Sequence, residues 1–140
     1  ILVASLISKI DFNNIRLINK KKEYASTGVD IDSYTEIKFE NNFTSYIGAS
    51  FIKNLGKKTE IIGSNGKIII EDTWHGYPSV LTIINETDNK IMIDTKENIY
   101  FYEIDTLSKN ILEDKKKPDF PGMTFDDSLV NMSIIQEWLN

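Results

Sequence analysis

The sequence predicts an α+β fold, an open, mainly antiparallel β-sheet of about six strands with helices packed on one face. Three observations carry this expectation. A central stretch alternates in polarity with period two, several extended segments are separated by turn-forming residues, and both ends switch to helical spacing. Hairpins in series, with helices at the ends, need no crossover connections of the kind that parallel strands require.

Residues 1–10 place Leu2 or Val3, Leu6, Ile7 and Ile10 three and four apart, which predicts an amphipathic helix. Ile15 to Ile18 is a short strand candidate, and Lys20-Lys21-Lys22 followed by Ser26-Thr27-Gly28 reads as a loop. Next, Ile31, Ser33, Thr35, Ile37 and Phe39 alternate with Asp32, Tyr34, Glu36, Lys38 and Glu40, the pattern of a half-buried strand. Asn41-Asn42 turns the chain, and Phe43, Ser45, Ile47, Ala49 and Phe51 keep the same period, so the two segments form a long antiparallel hairpin.

The stretch IIGSNGKIII contains Gly63-Ser64-Asn65-Gly66, which could be a phosphate cradle, an RNA-binding clamp or a tight turn. Its flanks are Ile-rich, and Asn-Gly between such runs is a strong hairpin signal. A phosphate loop requires a helix N-terminus after its glycines, and the chain here continues as strand. The hairpin reading therefore pairs Glu60 to Gly63 with Lys67 to Glu71. Val80 to Ile84 and Ile91 to Ile93 flank Glu86-Thr87-Asp88-Asn89 as a third hairpin.

Phe101, Ile104, Leu107 or Ser108, and Ile111 follow helical spacing and end at Lys115-Lys116-Lys117-Pro118, where cations suit a helix C-terminus. Thr124 is the expected N-cap of the last helix, with Asp126 and Asp127 in its first turn. Phe125, Leu129, Met132, Ile135 and Leu139, joined by Val130, Ile134 and Trp138, form a wide apolar stripe that is expected to be buried, with Met132 and Trp138 in the core.

The chain has 140 residues and reads as one domain, 1–140, large enough to need no staple. It has no cysteine, which excludes disulfides and thiolate metal sites and leans toward the cytoplasm. One histidine, His75, rules out multi-histidine metal sites, and no metal ligand set is expected. The net charge of −5 argues against nucleic acid or an anionic membrane as partner, and no apolar run approaches the roughly 18–20 residues of a membrane span. Because the apolar start ILVASLIS lacks an initiating Met, the chain is expected to be a fragment of a longer protein.

The long strands carry Ser45, Gly48, Ala49 and Ser50 beside Tyr34 and Tyr46, a mixture that suits close packing on another subunit or domain. In the loop Trp74-His75-Gly76-Tyr77 an imidazole sits among aromatics, near Glu71 and Asp72 in sequence, and could act as acid or base or bind a hydroxyl. Asp126-Asp127 and the two lysine runs are explained by helix-start charge and by solvated loops.

Several segments, in order, resemble the C-terminal domain of the glucose-fructose oxidoreductase, inositol dehydrogenase and rhizopine catabolism family of NAD(P)-dependent oxidoreductases. TGVDIDSYTEIKFENNFTSYIGASF resembles the family's Gly-Val-Asp start followed by strand, turn and strand, and TEIIGSNGKIIIEDTW its Ile-x-Gly-x-x-Gly-x-Ile hairpin. FYEIDTLSKNI and MTFDDSLVNMSIIQEWL resemble its penultimate and last helices. The resemblance runs from about Thr27 to Asn140.

It implies a substrate-binding and oligomerisation domain, with NAD or NADP held by an N-terminal Rossmann domain absent from this chain. The family's catalytic Glu-Lys-Pro and Asp-x-Gly-Cys-Tyr-like motifs do not occur here, so no residue is expected to be catalytic and the chain alone is expected to be inactive. Two further expectations follow: a homo-oligomer formed through Tyr34, Tyr46, Gly48 and Ser50, and a small-molecule substrate touched by Trp74 and His75. The rival readings are a free-standing protein-interaction module that uses the sheet face, and a small enzyme that pairs His75 with a carboxylate.

Overall fold

The computed structural model describes residues 2–9, 14–119 and 122–140, without the side chain of Leu2. Ile10 of the expected first stripe lies outside these residues. In chain order the elements are α1 (Leu2–Ser8), β1 (Ile15–Tyr24), β2 (Asp30–Phe39), β3 (Thr44–Ser50), β4 (Thr59–Gly63), β5 (Gly66–Ile70), β6 (Ser79–Ile84), β7 (Asp88–Ile93), α2 (Ile99–Leu112) and α3 (Phe125–Leu139). They fall into two compact units, Ile1–Leu55 with Phe120–Asn140, and Gly56–Asp119.

All strand pairs are antiparallel and the sheets are open, so the α+β class holds. The strands form two sheets, ordered β1-β2-β3 and β4-β5-β6-β7, in place of the single sheet expected. The division follows from how β3 ends. Ser50 Oγ accepts the backbone N–H of Ile52 at 3.2 Å and of Lys53 at 2.9 Å, and Gly56 takes φ +78°, so the chain turns out of the strand before β4 begins.

In the first unit, β2 is the central strand. Ser33, Thr35, Ile37 and Phe39 on one of its faces are all buried, and Ile37 and Phe39 form a core with Ala4. Ile15, Leu17, Phe43 and Ile47 pack around this core. The buried hydroxyls are satisfied: Ser33 donates to Asp30 Oδ2 at 2.7 Å and Thr35 to the Ile18 carbonyl at 3.3 Å. At the β2–β3 turn Asn42 takes φ +64°, and Asn41 Nδ2 donates to the Ser8 carbonyl at 2.8 Å, tying the turn to the end of α1. In α1 itself the buried residues are Ala4, Ser5 and Ser8, whereas Val3 and Leu6 of the expected stripe are exposed.

Two sequence expectations need correction here. Lys20-Lys21-Lys22 is not a loop, because β1 runs through it to Tyr24 with a bulge between Ile18 and Lys21 and φ +52° at Asn19. Lys20 Nζ donates to the Glu137 carbonyl at 2.9 Å and Lys22 Nζ to the Leu139 carbonyl at 2.5 Å. The last turn of α3 has no base of its own, so strand lysines supply the cations that its carbonyl end attracts.

The second correction concerns α3. Ile134 is buried and Val130, Ile135 and Trp138 are half-buried, but Phe125, Leu129, Met132 and Leu139 are exposed. Met132 is therefore not a core residue. α3 lies on β1, an edge strand whose sequence IRLINKKKEY has apolar side chains only in its first half, and such a strand seats a narrow strip of helix.

In the second unit Gly63 pairs with Gly66, so the hairpin expected at Gly63-Ser64-Asn65-Gly66 is present. Gly66 has φ +145°, and a Cβ there would lie 2.2 Å from the Ile84 carbonyl oxygen, so a glycine is required. The β6–β7 turn is tighter than expected, with Ile84 opposite Asp88. α2 is capped by Asn98, whose Oδ1 accepts the Tyr100 N–H at 3.0 Å. It buries Asn110 and exposes Tyr100, Ile104, Leu107 and Ile111. The lysines beyond it are held by acids, Lys115 by Glu113 and Asp119 at 2.6 Å each and Lys116 by Asp114 at 2.5 Å.

Thr124 is the N-cap that the sequence predicts. Its Oγ1 accepts the Asp127 N–H at 3.1 Å, and Asp127 Oδ2 accepts the Thr124 N–H at 2.9 Å, a reciprocal capping box. Thr124→Ala is expected to lower stability to urea by about 1 kcal/mol and Thr124→Ser to recover most of it. An alanine variant as stable as the parent would contradict the role of the cap.

Candidate functional site

Two groups of side chains stand out, one in each unit. The first occupies the face of β1–β3 opposite the core. Register places Arg16, Lys38 and Thr44 in one row, Ile18, Glu36 and Tyr46 in the next, then Lys21, Tyr34 and Gly48, and finally Glu23, Asp32 and Ser50. Tyr34, Tyr46, Gly48 and Ser50, expected as a contact surface, thus share one face. Tyr46 is 77% exposed.

The other three surround a carboxylate, Asp32, which the sequence pattern showed only as one polar residue in the alternation of β2. Asp32 is buried, and its Oδ2 is paired with Lys53. Ser50 sets this contact, because its hydroxyl holds the turn that carries Lys53 back over the sheet. The Lys53 ammonium lies 5.7 Å from the centroid of the Tyr34 ring, within cation–π range. Lys53 holds the Asp32 carboxyl below its ordinary range against the opposing effect of burial, while Asp32 raises Lys53. Burial, and then the nearby Asp32 charge, push the Tyr34 phenol up. Asp32 Oδ1 is buried without a hydrogen-bond partner among the described residues.

Gly48 makes room for this arrangement. A Cβ at Gly48 would lie 2.7 Å from Tyr34 Cδ1 and 3.3 Å from Leu55 Cδ1. In the strand pattern Gly48 could be read only as a small residue, since the register that sets it under a ring is not visible in the sequence.

The second group is the loop after β5. Asp72 Oδ1 accepts the backbone N–H groups of Trp74 at 3.2 Å and His75 at 3.3 Å, and lies 2.8 Å from His75 Nδ1. Lys57 Nζ is 3.5 Å from Asp72 Oδ2. The hydrogen bond from His75 is the chief cause that lowers the Asp72 carboxyl to about 2, with burial opposing and the two backbone N–H groups assisting. An ionised carboxylate only accepts, so Nδ1 carries the hydrogen of this contact, which leaves Nε2 as the ring nitrogen that can meet a ligand.

The His75 ring stacks on Tyr77 at 6.2 Å and 8°. Gly76, at φ +63°, sits so close to Ile99 that a Cβ would lie 1.9 Å from Ile99 Cγ2, and Thr95 donates to the Gly76 carbonyl at 3.3 Å. The loop is thereby anchored at the start of α2. Trp74 and Tyr77 are 70% and 66% exposed. The arrangement presents an oriented imidazole among open aromatic faces, suited to a hydroxyl group on a molecule with an apolar side. The sequence placed Trp74 and His75 here but left Asp72 uncommitted. An Asp three residues before the His, in a turn with Gly, was the available signal.

No group of three or more His, Cys, Asp or Glu among the described residues is placed to hold a metal ion, and Asp127 serves the α3 cap. No helix among them is long and apolar enough to cross a membrane.

Neither a family model nor a curated protein matches the sequence. Among solved structures the chain is similar to aldose-aldose oxidoreductase from Caulobacter crescentus complexed with glycerol, with a TM-score of 0.70 and 15% identity. The match covers 89% of this chain and 38% of that one, so the chain spans well under half of that protein's length. At this identity the likeness is one of fold.

Gly48→Ala is expected to destabilise the protein by about 1–3 kcal/mol through the Tyr34 ring, and the cost should largely vanish in a Tyr34→Ala background. An unchanged cost in that background would mean that the ring is not the obstacle. Asp72 has a folded value below its ordinary 3.8, so its stabilisation is complete above that pH and is lost as pH falls toward about 2. Urea unfolding of the parent and of Asp72→Asn should therefore differ most above pH 3.8 and converge below it. A gap that widens on acidification would contradict the assignment.

Proposed function

We propose that this chain is the substrate-binding and oligomerisation domain of a sugar- or polyol-type NAD(P)-dependent oxidoreductase, acting in the cytoplasm and inactive by itself. The observation that carries this reading is the fold likeness over 89% of the chain to a part of a protein named as an oxidoreductase of aldoses. The ordered sequence resemblance from about Thr27 onward agrees with it.

NAD or NADP would be held elsewhere in the full protein. The residues present do not fit a dinucleotide, because Gly63–Gly66 closes a hairpin and is followed by β5, which offers no helix N-terminus to a pyrophosphate. No chemical step is therefore assigned to this chain. Its contribution is orientation: His75 Nε2 meets a substrate hydroxyl and Trp74 covers an apolar side of the same molecule. Self-association uses the β1–β3 face with Tyr34, Tyr46, Gly48 and Ser50. A free-standing module that binds a different protein through this face is the second reading, favoured by the 77% exposure of Tyr46.

Reading the gene upstream of the Ile1 codon separates the two. The proposal expects a nucleotide-binding domain there, and in that full enzyme His75→Ala should raise KM for a sugar or polyol substrate several-fold. An initiation codon directly before Ile1, or kinetics indifferent to His75, would contradict the domain role and the substrate contact respectively.

A further inference from the structure

We infer that Lys20 and Lys22 form a charge latch, which holds the last turn of α3 on the sheet and lets it loosen when their charge is screened or removed. The inner face of β1–β3 has two halves of different character. One is apolar, with Ile37 and Phe39 of β2 beside Ile15 and Leu17 of β1. The other is polar, with buried Ser33 and Thr35 on β2 and, past the bulge of β1, Lys22 directly opposite Ser33. The end of α3 is tied to this second half, because Lys20 Nζ donates to the Glu137 carbonyl and Lys22 Nζ to the Leu139 carbonyl.

Apolar contact does little at that end of the helix. Ile134, the buried residue of α3, lies one turn before the lysine contacts, and Leu139 is exposed. Trp138 is half-buried, and its Nε1 is enclosed without a hydrogen-bond partner among the described residues. Seating this side chain therefore gains from the ring and loses at the N–H, which gives up water for nothing.

The carbonyls supply what the side chains do not. A helix leaves its last four carbonyls without the usual intrahelical partner, and their partial negative charge gathers at the C-terminus. Gln136 gives its carbonyl to the Asn140 N–H at 3.2 Å, whereas those of Glu137 and Leu139 go to the strand lysines. Lys20 is exposed and Lys22 half-buried, so salt reaches both contacts. The screening length falls from about 10 Å at 0.1 M salt to about 3 Å at 1 M. Over that range the attraction of an ammonium for helix carbonyls weakens, while the apolar seat of Ile134 does not. The last turn thus opens ahead of the capped start of the helix. Acylation of the two amines, which removes their charge, has the same effect without salt.

Hydrogen exchange of the whole chain, read by mass spectrometry on peptides from both ends of α3, tests the latch. Raising NaCl from about 0.1 M to about 1 M is expected to speed exchange of the 136–140 amides about fivefold or more, with little change in the turn after Thr124. The Lys20→Gln/Lys22→Gln double variant should exchange fast at both concentrations. Lys20→Arg/Lys22→Arg should regain both the slow exchange and its salt response. In a Trp74→Phe background Trp138 is the single tryptophan, and acrylamide should quench it more strongly at high salt. The parent's own salt response is read first, so the outcome does not depend on the glutamine variant folding. Exchange at the end of α3 that ignores salt in the parent, that answers salt equally in the glutamine variant, or that speeds uniformly along the whole helix would overturn the latch.

Discussion

Strand β2 lies between β1 and β3 and carries two incompatible surfaces on alternate residues. Ile37 and Phe39 with Ser33 and Thr35 close the core of the first unit, while Asp32, Tyr34, Glu36 and Lys38 point the other way. A register slip of one residue would exchange the faces, placing charges against Ala4 and Phe43. Both neighbours fix the register against that slip: β3 by the tight turn at Asn42, β1 by the bulge at Asn19. The contents of the outer face are thus set by the same constraint that builds the core.

On that face a buried carboxylate is tolerated because Lys53 pairs with it and Tyr34 lies alongside. A buried charge without such a partner would be costly. Lys53 reaches it only because Ser50 ends β3 in a turn, and Tyr34 fits only because Gly48 has no side chain. The small residues of the strand pattern are therefore structural requirements of a cluster within one chain. In the second unit Asp72 plays a comparable part, since one carboxylate oxygen shapes the loop through two backbone N–H groups and orients the imidazole as well.

What the sequence disclosed and what it withheld follow the range of the interactions involved. The alternation of β2, the turns at Asn42 and Gly66, and the Thr124 cap are determined by residues a few positions apart, and each was legible. β1 was truncated at Ile18 because its lysines looked like solvated charge; their partners are carbonyls 117 positions away at the end of α3. α3 was expected to bury a whole stripe, but the width that a helix buries depends on what it lies on, and β1 offers little apolar surface. Hairpin order showed which consecutive strands pair, but not whether β3 continues into β4, which was decided by the turn at Ser50. Of the candidate sites, the shared face of Tyr34, Tyr46, Gly48 and Ser50 was visible from period two, whereas Asp32, Lys53 and the Asp72–His75 contact needed coordinates.

The role proposed for the outer face of β1–β3 is contact with another copy of the chain. Oxidative side-chain labelling followed by mass spectrometry tests it directly, with the Tyr46 labelling rate read against protein concentration and exposed Trp74 as internal reference. The account predicts that Tyr46 becomes protected relative to Trp74 as concentration rises. A Tyr46 rate that stays constant relative to Trp74 at every concentration would contradict it.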